Sequence, residues 1–240
     1  MTLPRHGLAR VLSKRGVCSR SEAERLVRAG RVRLEGRVVH DPEHPTDLQH
    51  ANILLDDAPA SEVVTRYLML NKPRGLVTTT TDERGRDTVY SCLDGAELGW
   101  VAPVGRLDKA SEGLLLFCND PVWAANITDP TRGPEKTYHV QVDCVPADDL
   151  LQRLQAGFDC DGETLQAKSV LLLRAGVKNA WLEVVLEEGR NRQIRRLLAA
   201  CDIGVLRLVR VAIGTLALGE LAKGQWRMLS AEEVAALGGD

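Results

Sequence analysis

Gly105-Arg106-Leu107-Asp108-Lys109-Ala110-Ser111-Glu112-Gly113-Leu114-Leu115-Leu116-Phe117 is the stretch on which the organisation of the chain turns. Its second half is a short, continuous apolar run of the kind that forms a buried strand. Its first half sets an Arg and an Asp between two glycines. Glycine admits backbone conformations that other residues resist, so the loop entering the strand can hold Asp108 at a fixed angle in a cleft. As spacing alone this leaves two readings open. An Asp in such a glycine-bracketed loop serves as a turn or capping residue more often than as a reactive group.

Outward from this stretch, β-like runs recur at residues 67–70, 76–79, 137–142, 171–173 and 181–186, with helical patterns at 148–156 and 192–201. Strands and helices are interspersed without regular βαβ alternation. This predicts a mixed, mainly antiparallel sheet with flanking helices rather than a doubly wound fold.

The N-terminal quarter has a different texture. Leu8, Val11 and Leu12 recur at helical spacing until Gly16. Ser19 with Glu22 is a capping-box pattern, and Ala23, Leu26 and Val27 continue an apolar face to Gly30. Val32 and Leu34, the Glu35-Gly36 turn and Val38-Val39 then predict a hairpin. The fold class is therefore α+β: a small helix-helix-hairpin domain over 1–57, a linker over 58–65, and a sheet domain over 66–240.

The net charge of −2 hides strong segregation. Residues 1–40 carry ten Lys or Arg against three Glu, a local charge of +7, whereas residues 41–65 carry six acids and no Lys or Arg. A coherent basic field over two helices and a hairpin favours phosphate contact over a merely solvated face. Arg10, Lys14, Arg15, Arg20, Arg25 and Arg28 are the candidate contacts in this module.

Other classes lose their usual signals. There is no G-x-x-x-x-G-K-[ST] loop, G-x-G-x-x-G fingerprint, G-x-S-x-G elbow or H-E-x-x-H. Six scattered cysteines without a C-x-x-C pair signal neither a zinc site nor a disulfide framework and read as small core residues. His40, His44 and His50 cluster in the acidic connector without a ligand pattern, so no metal is expected. No apolar run approaches the roughly 20 residues that span a bilayer, and the N-terminus lacks a secretory pattern; a cytoplasmic monomer is the simplest expectation.

Four segments in order then carry a resemblance. Asn71-Lys72-Pro73-Arg74-Gly75, the Gly105–Asp108 stretch through Asn119-Asp120, Lys136-Thr137-Tyr138, and Glu188-Gly189-Arg190-Asn191-Arg192-Gln193-Ile194-Arg195-Arg196 resemble the motifs of the ribosomal pseudouridine synthases, in the branch typified by the small-subunit enzyme. The likeness continues through Leu208-Val209-Arg210 and Ile213-Gly214 to Gly224-Gln225-Trp226-Arg227. The N-terminal module is similar to the S-four-type RNA-binding domain. Departures are modest: Glu35 stands where Asn is usual, Ser111 where Thr is frequent, and Pro121 where Gly is frequent.

The resemblance implies isomerisation of a uridine in ribosomal RNA of either subunit, with Asp108 as nucleophile. It also implies that Arg195 pairs with that carboxylate, that Tyr138 stacks on an everted base and is a candidate for proton transfer, and that Arg106 fills the vacated space. Lys72, Lys136, Arg190, Arg192 and Arg196 are implied RNA contacts, with Arg207 and Arg210 as extensions of the patch. The reaction conserves redox state and composition, so no metal or organic cofactor is demanded. A carboxylate nucleophile must attack sugar or base while ionised, and burial disfavours charge, so a cation beside it is required. Two rival classes stay open: a non-catalytic RNA-binding or assembly protein, and a helix-turn-helix DNA regulator.

Overall fold

The computed structural model describes residues 5–60, 63–80, 82, 84–160 and 162–238. Ser61 and Glu62 of the expected linker lie outside the described residues. The chain divides into two units. One takes the chain up to Tyr67 with Ala96–Ala102 and Phe117–Ala124; the other takes Leu68–Gly95, Pro103–Leu116 and the chain from Ala125.

The first unit runs through strand β1 (Arg5–Gly7), helix α1 (Leu8–Lys14), helix α2 (Arg20–Arg28) and strands β2 (Val32–Leu34), β3 (Arg37–Val38), β4 (Pro45–Asp47), β5 (Ile53–Leu55) and β6 (Ala58–Pro59). The apolar faces read from helical spacing are the ones buried: Leu8, Val11 and Leu12 of α1 meet Ala23, Leu26 and Val27 of α2 over Val32 and Ile53. Ser19 caps α2, its Oγ accepting from the Glu22 amide at 3.1 Å. The reciprocal half of the capping box gives way to an ion pair, because Arg25 takes the Glu22 carboxylate. At the hairpin turn Glu35 and Gly36 have φ of 49° and 79°, the left-handed pair that a two-residue hairpin turn demands. Glu35 holds this conformation without the ease of Asn, and its carboxylate accepts from the Asn52 amide at 2.9 Å.

The remaining elements are strands β7 (Tyr67–Lys72), β8 (Ala102–Val104) and β9 (Glu112–Cys118), helix α3 (Pro121–Thr128), strand β10 (Lys136–Val142), helix α4 (Asp148–Ala156), strands β11 (Phe158–Cys160), β12 (Glu163–Leu165), β13 (Ser169–Ala175) and β14 (Ala180–Leu186), helix α5 (Gln193–Ala199), strands β15 (Val205–Ile213), β16 (Leu216–Ala217) and β17 (Trp226–Met228), and helix α6 (Ala231–Gly238). The main sheet runs β13-β14-β10-β15-β9-β7-β17, with β16 on β15 and β8 on β9. Most of its registered pairs are antiparallel, and β9 with β15 is parallel. The α+β fold class is as read from the sequence.

Two expectations change. Residues 76–79 form no strand; Val77 makes only an isolated bridge to Thr88, and the segment instead braces a neighbouring loop. The helix expected from Arg192 starts one residue later, because Arg192 itself is left-handed (φ 50°, ψ 31°). Pro121, unusual by resemblance, is the first residue of α3, where its missing N–H costs nothing, and Asp120 Oδ1 accepts from the Val122 and Trp123 amides at 2.9 and 3.1 Å. All six cysteines are free, with Cys18, Cys118 and Cys160 buried. No helix among the described residues is long and apolar enough to cross a membrane.

Candidate active site

The loop between β8 and β9 is tied down from beneath. The Lys72 ammonium, fully buried, donates to the carbonyls of Ser111 at 2.9 Å, Pro73 at 3.1 Å and Asp108 at 3.2 Å. Thr78 Oγ1 donates to the Leu107 carbonyl at 2.7 Å, and the Gly75 amide donates to that of Lys109 at 2.8 Å. Within the loop the Ser111 amide closes a turn on the Asp108 carbonyl at 2.9 Å. Every backbone tie therefore falls on a residue flanking the Asp108 side chain or on its carbonyl, which leaves the carboxylate itself free to face outward.

Gly113 is the second residue of β9, where that strand pairs with Arg210 of β15. A Cβ there would stand 2.2 Å from the Arg210 carbonyl oxygen. Only glycine lets the two backbones approach so closely. Next to it, Glu112 is 2% exposed, and its carboxylate accepts from Arg207 at 3.1 Å and from Lys223. Burial disfavours the Glu112 charge, but those two cations outweigh it and hold the carboxyl below the usual range.

A cavity of about 500 Å³ opens above the sheet, all of it within the second unit. Tyr138 and Lys136 of β10 and Arg210 of β15 line it, with Asp108, Arg106 and Ser111 from the loop and Arg190 and Arg192 from the segment before α5. Lys136 and Tyr138 alternate on one strand face, and Arg210 pairs directly with Tyr138 across the ladder, so strand periodicity delivers all three to one surface. The structure thus brings Asp108, Tyr138, Arg106, Lys136, Arg190 and Arg192 together.

The guanidinium at ion-pair distance from Asp108 is that of Arg192, whose Nη1 lies 3.4 Å from Oδ2. Arg195, the partner implied by resemblance, instead donates to the Ala110 carbonyl at 3.4 Å and the Val205 carbonyl at 3.5 Å. Burial and the Arg192 charge push its guanidinium below the ordinary range, while the Asp108 charge pulls it the other way. Arg192 precedes α5 and lines the cavity, whereas Arg195, half-buried within α5, is held by the Ala110 and Val205 carbonyls. The resemblance had implied Arg195 as the partner and Arg192 as an RNA contact.

Lys72 was expected to touch RNA, and its burial removes it from that surface: the ammonium points into the protein beneath the loop. Burial presses its pKa down to about 8. Arg196 is also occupied inward, by Glu163 at 2.8 Å and the Cys160 carbonyl at 2.6 Å. Arg190 donates to Glu188 at 2.8 Å while lining the cavity. Gln193, absent from the sequence-derived candidates, braces this segment: it is 2% exposed and bonds Gln166, Glu188 and the Arg190 amide. A lone buried Gln carries no signature in a single sequence.

In the first unit the expected basic face divides by pairing. Arg20, Arg25 and Arg28 meet Glu24 or Glu43, Glu22 and Glu24 respectively, and Arg15 donates to the Leu48 carbonyl. Arg10 and Lys14 are exposed on α1 with no carboxylate partner among the described residues.

Residues 66–200 match the family described as RNA pseudouridylate synthase, and residues 7–47 match the S4 domain. An uncharacterized RNA pseudouridine synthase of Rickettsia conorii is 34% identical over 225 residues, covering 94% of this chain and 96% of the relative. One from Mycobacterium bovis is 36% identical over 233 residues, covering 96% and 92%. A crystal structure of a pseudouridylate synthase superposes with a TM-score of 0.67 at 29% identity, covering 98% and 99% of the two chains. The chain belongs to the RNA pseudouridylate synthase family. It is an isomerase that acts on uridine in RNA and carries an RNA-binding S4 domain at its N-terminal end. Neither rival class accounts for a match across the large unit.

Proposed function

We propose that the chain converts a uridine of ribosomal RNA to pseudouridine with Asp108 as its nucleophile. The observation that carries this reading is a carboxylate on a braced loop, inside a cavity, 3.4 Å from the Arg192 guanidinium and sharing that cavity with Tyr138. The Arg192 guanidinium stands at ion-pair distance from the carboxylate that is to act as nucleophile. The target lies in folded RNA, so the nucleotide swings out and its base enters the cavity. Tyr138 offers a ring to stack on, and Arg106, exposed at the rim, extends toward the space the base vacates. Arg190 and Arg192 face the flanking phosphates. Residues 1–57 add sequence-independent affinity ahead of the catalytic domain at 66–240, β6 carrying the first unit's sheet into the expected 58–65 linker, and Arg195 sets the electrostatics behind the loop.

Bond formation at C5 expels the hydrogen that C5 carries. Ribosomal RNA transcripts bearing tritium at C5 of uridine should release it to water with the wild-type chain. Asp108→Asn should abolish release while leaving RNA affinity within about threefold. Mapping pseudouridines in cells with and without the gene then decides the substrate. Loss confined to transfer RNA would overturn the ribosomal assignment, and tritium release by Asp108→Asn would overturn the nucleophile.

A further inference from the structure

Lys136 and Arg210 are 8% and 6% exposed at the floor of the cavity. Neither has a carboxylate within 4 Å among the described residues. Arg210 Nε donates to the Leu114 carbonyl at 2.7 Å, but its Nη2 is buried with no hydrogen-bond partner among the described residues. Buried polar groups are almost always satisfied, and a buried charge without a counter-charge is costly, so an unpaired cation pair at a cavity floor calls for a ligand. Burial, and then the Arg210 charge, lower the pKa of Lys136, with Asp129 acting weakly in the other direction.

We propose that Lys136 and Arg210 receive the carbonyl oxygens of the uracil ring and hold the negative charge that the ring acquires during isomerisation. The proposal rests on the reading of Asp108 as nucleophile. If the carboxylate bonds to C1′, the C1′–N1 bond breaks with its electron pair on the base, and the resulting uracil anion spreads charge over N1, O2 and O4. After the base turns, C5 bonds to C1′ and displaces the carboxylate, the C5 proton leaves and N1 gains one. If the carboxylate adds to the ring instead, the displaced electron pair resides on a ring carbonyl oxygen. Either course places an anion where two desolvated cations wait. Interactions that strengthen as charge develops accelerate the reaction, whereas uniform binding does not.

A backbone phosphate fits the floor less well. Phosphates track exposed surface, where Arg106 and Arg192 stand, whereas Lys136 and Arg210 are buried. Arg207, three residues earlier on β15, shows the contrast: it pairs with Glu112 and stacks over Trp181, so its charge is already met.

Single-turnover tritium release, RNA affinity and its salt dependence are measured on the full chain with ribosomal RNA transcripts. Arg210→Met should slow the saturated single-turnover rate about 10²- to 10³-fold with Kd changed less than about threefold, and Arg210→Lys should recover at least about tenfold of that loss. Lys136→Met carries the same expectation and serves if thermal melting shows Arg210→Met unfolded. An unchanged saturated rate with weaker binding and a salt slope reduced by about one would mark a phosphate contact and overturn the proposal. So would Arg210→Lys as slow as Arg210→Met with intact binding. Absence of release by the wild-type chain itself would instead defeat the reading of Asp108 on which this rests.

Discussion

Arg192 reaches Asp108 from a backbone that an L-residue rarely adopts: its φ is 50°, and its Nη1 lies 3.4 Å from the carboxylate Oδ2. The left-handed residue turns the chain into α5 and directs the side chain back over the cavity. Non-glycine residues in this region are retained where the surrounding structure or the function demands them.

Arg192→Gly separates those demands. Glycine relieves the left-handed strain but adds freedom to the unfolded chain, so stability should change by roughly 0 to +1 kcal/mol. The single-turnover rate should fall at least about tenfold, equivalent to about 1.4 kcal/mol in the barrier. Urea unfolding and tritium release measure the two effects, and a fully active, more stable variant would show the ion pair to be incidental.

Lys72→Met removes the donor to two loop carbonyls and that of Pro73 and should destabilise the chain by about 1–3 kcal/mol at neutral pH, with a slower rate from a looser Asp108 loop. The lysine also predicts a pH dependence. Its pKa is about 8 when folded against 10.5 for the ordinary side chain, so between those values the unfolded chain binds a proton that the folded chain has released. Stability therefore rises with pH across this window. The wild type should gain on Lys72→Met by up to about 1.4 kcal/mol per pH unit. A difference that stays flat between roughly pH 7 and 10 would contradict the depressed value.

Gly113→Ala should cost at least about 3 kcal/mol or abolish folding, because its methyl would meet the Arg210 backbone oxygen at 2.2 Å and backbone yields little. Gly36→Ala is the matched control, with φ of +79° but nothing within 4 Å of its added carbon. It should cost only about 1–2 kcal/mol. Equal urea midpoints for the two variants would remove the close strand approach as the reason for Gly113.

RNA binding measured from roughly 50 to 200 mM salt should distinguish free from paired charges. Arg10→Ala and Lys14→Ala should each reduce the slope of log affinity against log salt by about one, and Arg25→Ala by less, because Glu22 already holds that guanidinium. Identical slopes for all three would show that the pairing within α2 opens when RNA binds.

Local pattern was enough for much of this. Apolar spacing at Leu8, Val11 and Leu12 and again at Ala23, Leu26 and Val27 read as two helices, and both formed, since periodicity states which face is buried before the partner is known. The turn at Glu35-Gly36 and the strand after Gly113 were likewise legible. Residues 76–79 misled because their β-branched composition reports propensity, whereas Thr78 serves a loop 29 positions away.

What the sequence determined by itself is the set of elements and the reactive vocabulary: an Asp between glycines, a Tyr on a strand and arginines bunched before a helix. Tertiary structure decided the assignments among them. Arg192, one turn-forming residue, meets Asp108, while Arg195, three positions on, turns inward; Lys72 becomes a buried brace; Arg207 and Arg210 leave one strand on opposite faces. The physical reason is that charge and side-chain length are written in the sequence, but direction and desolvation arise only when distant strands pack and remove water from one guanidinium and not its neighbour.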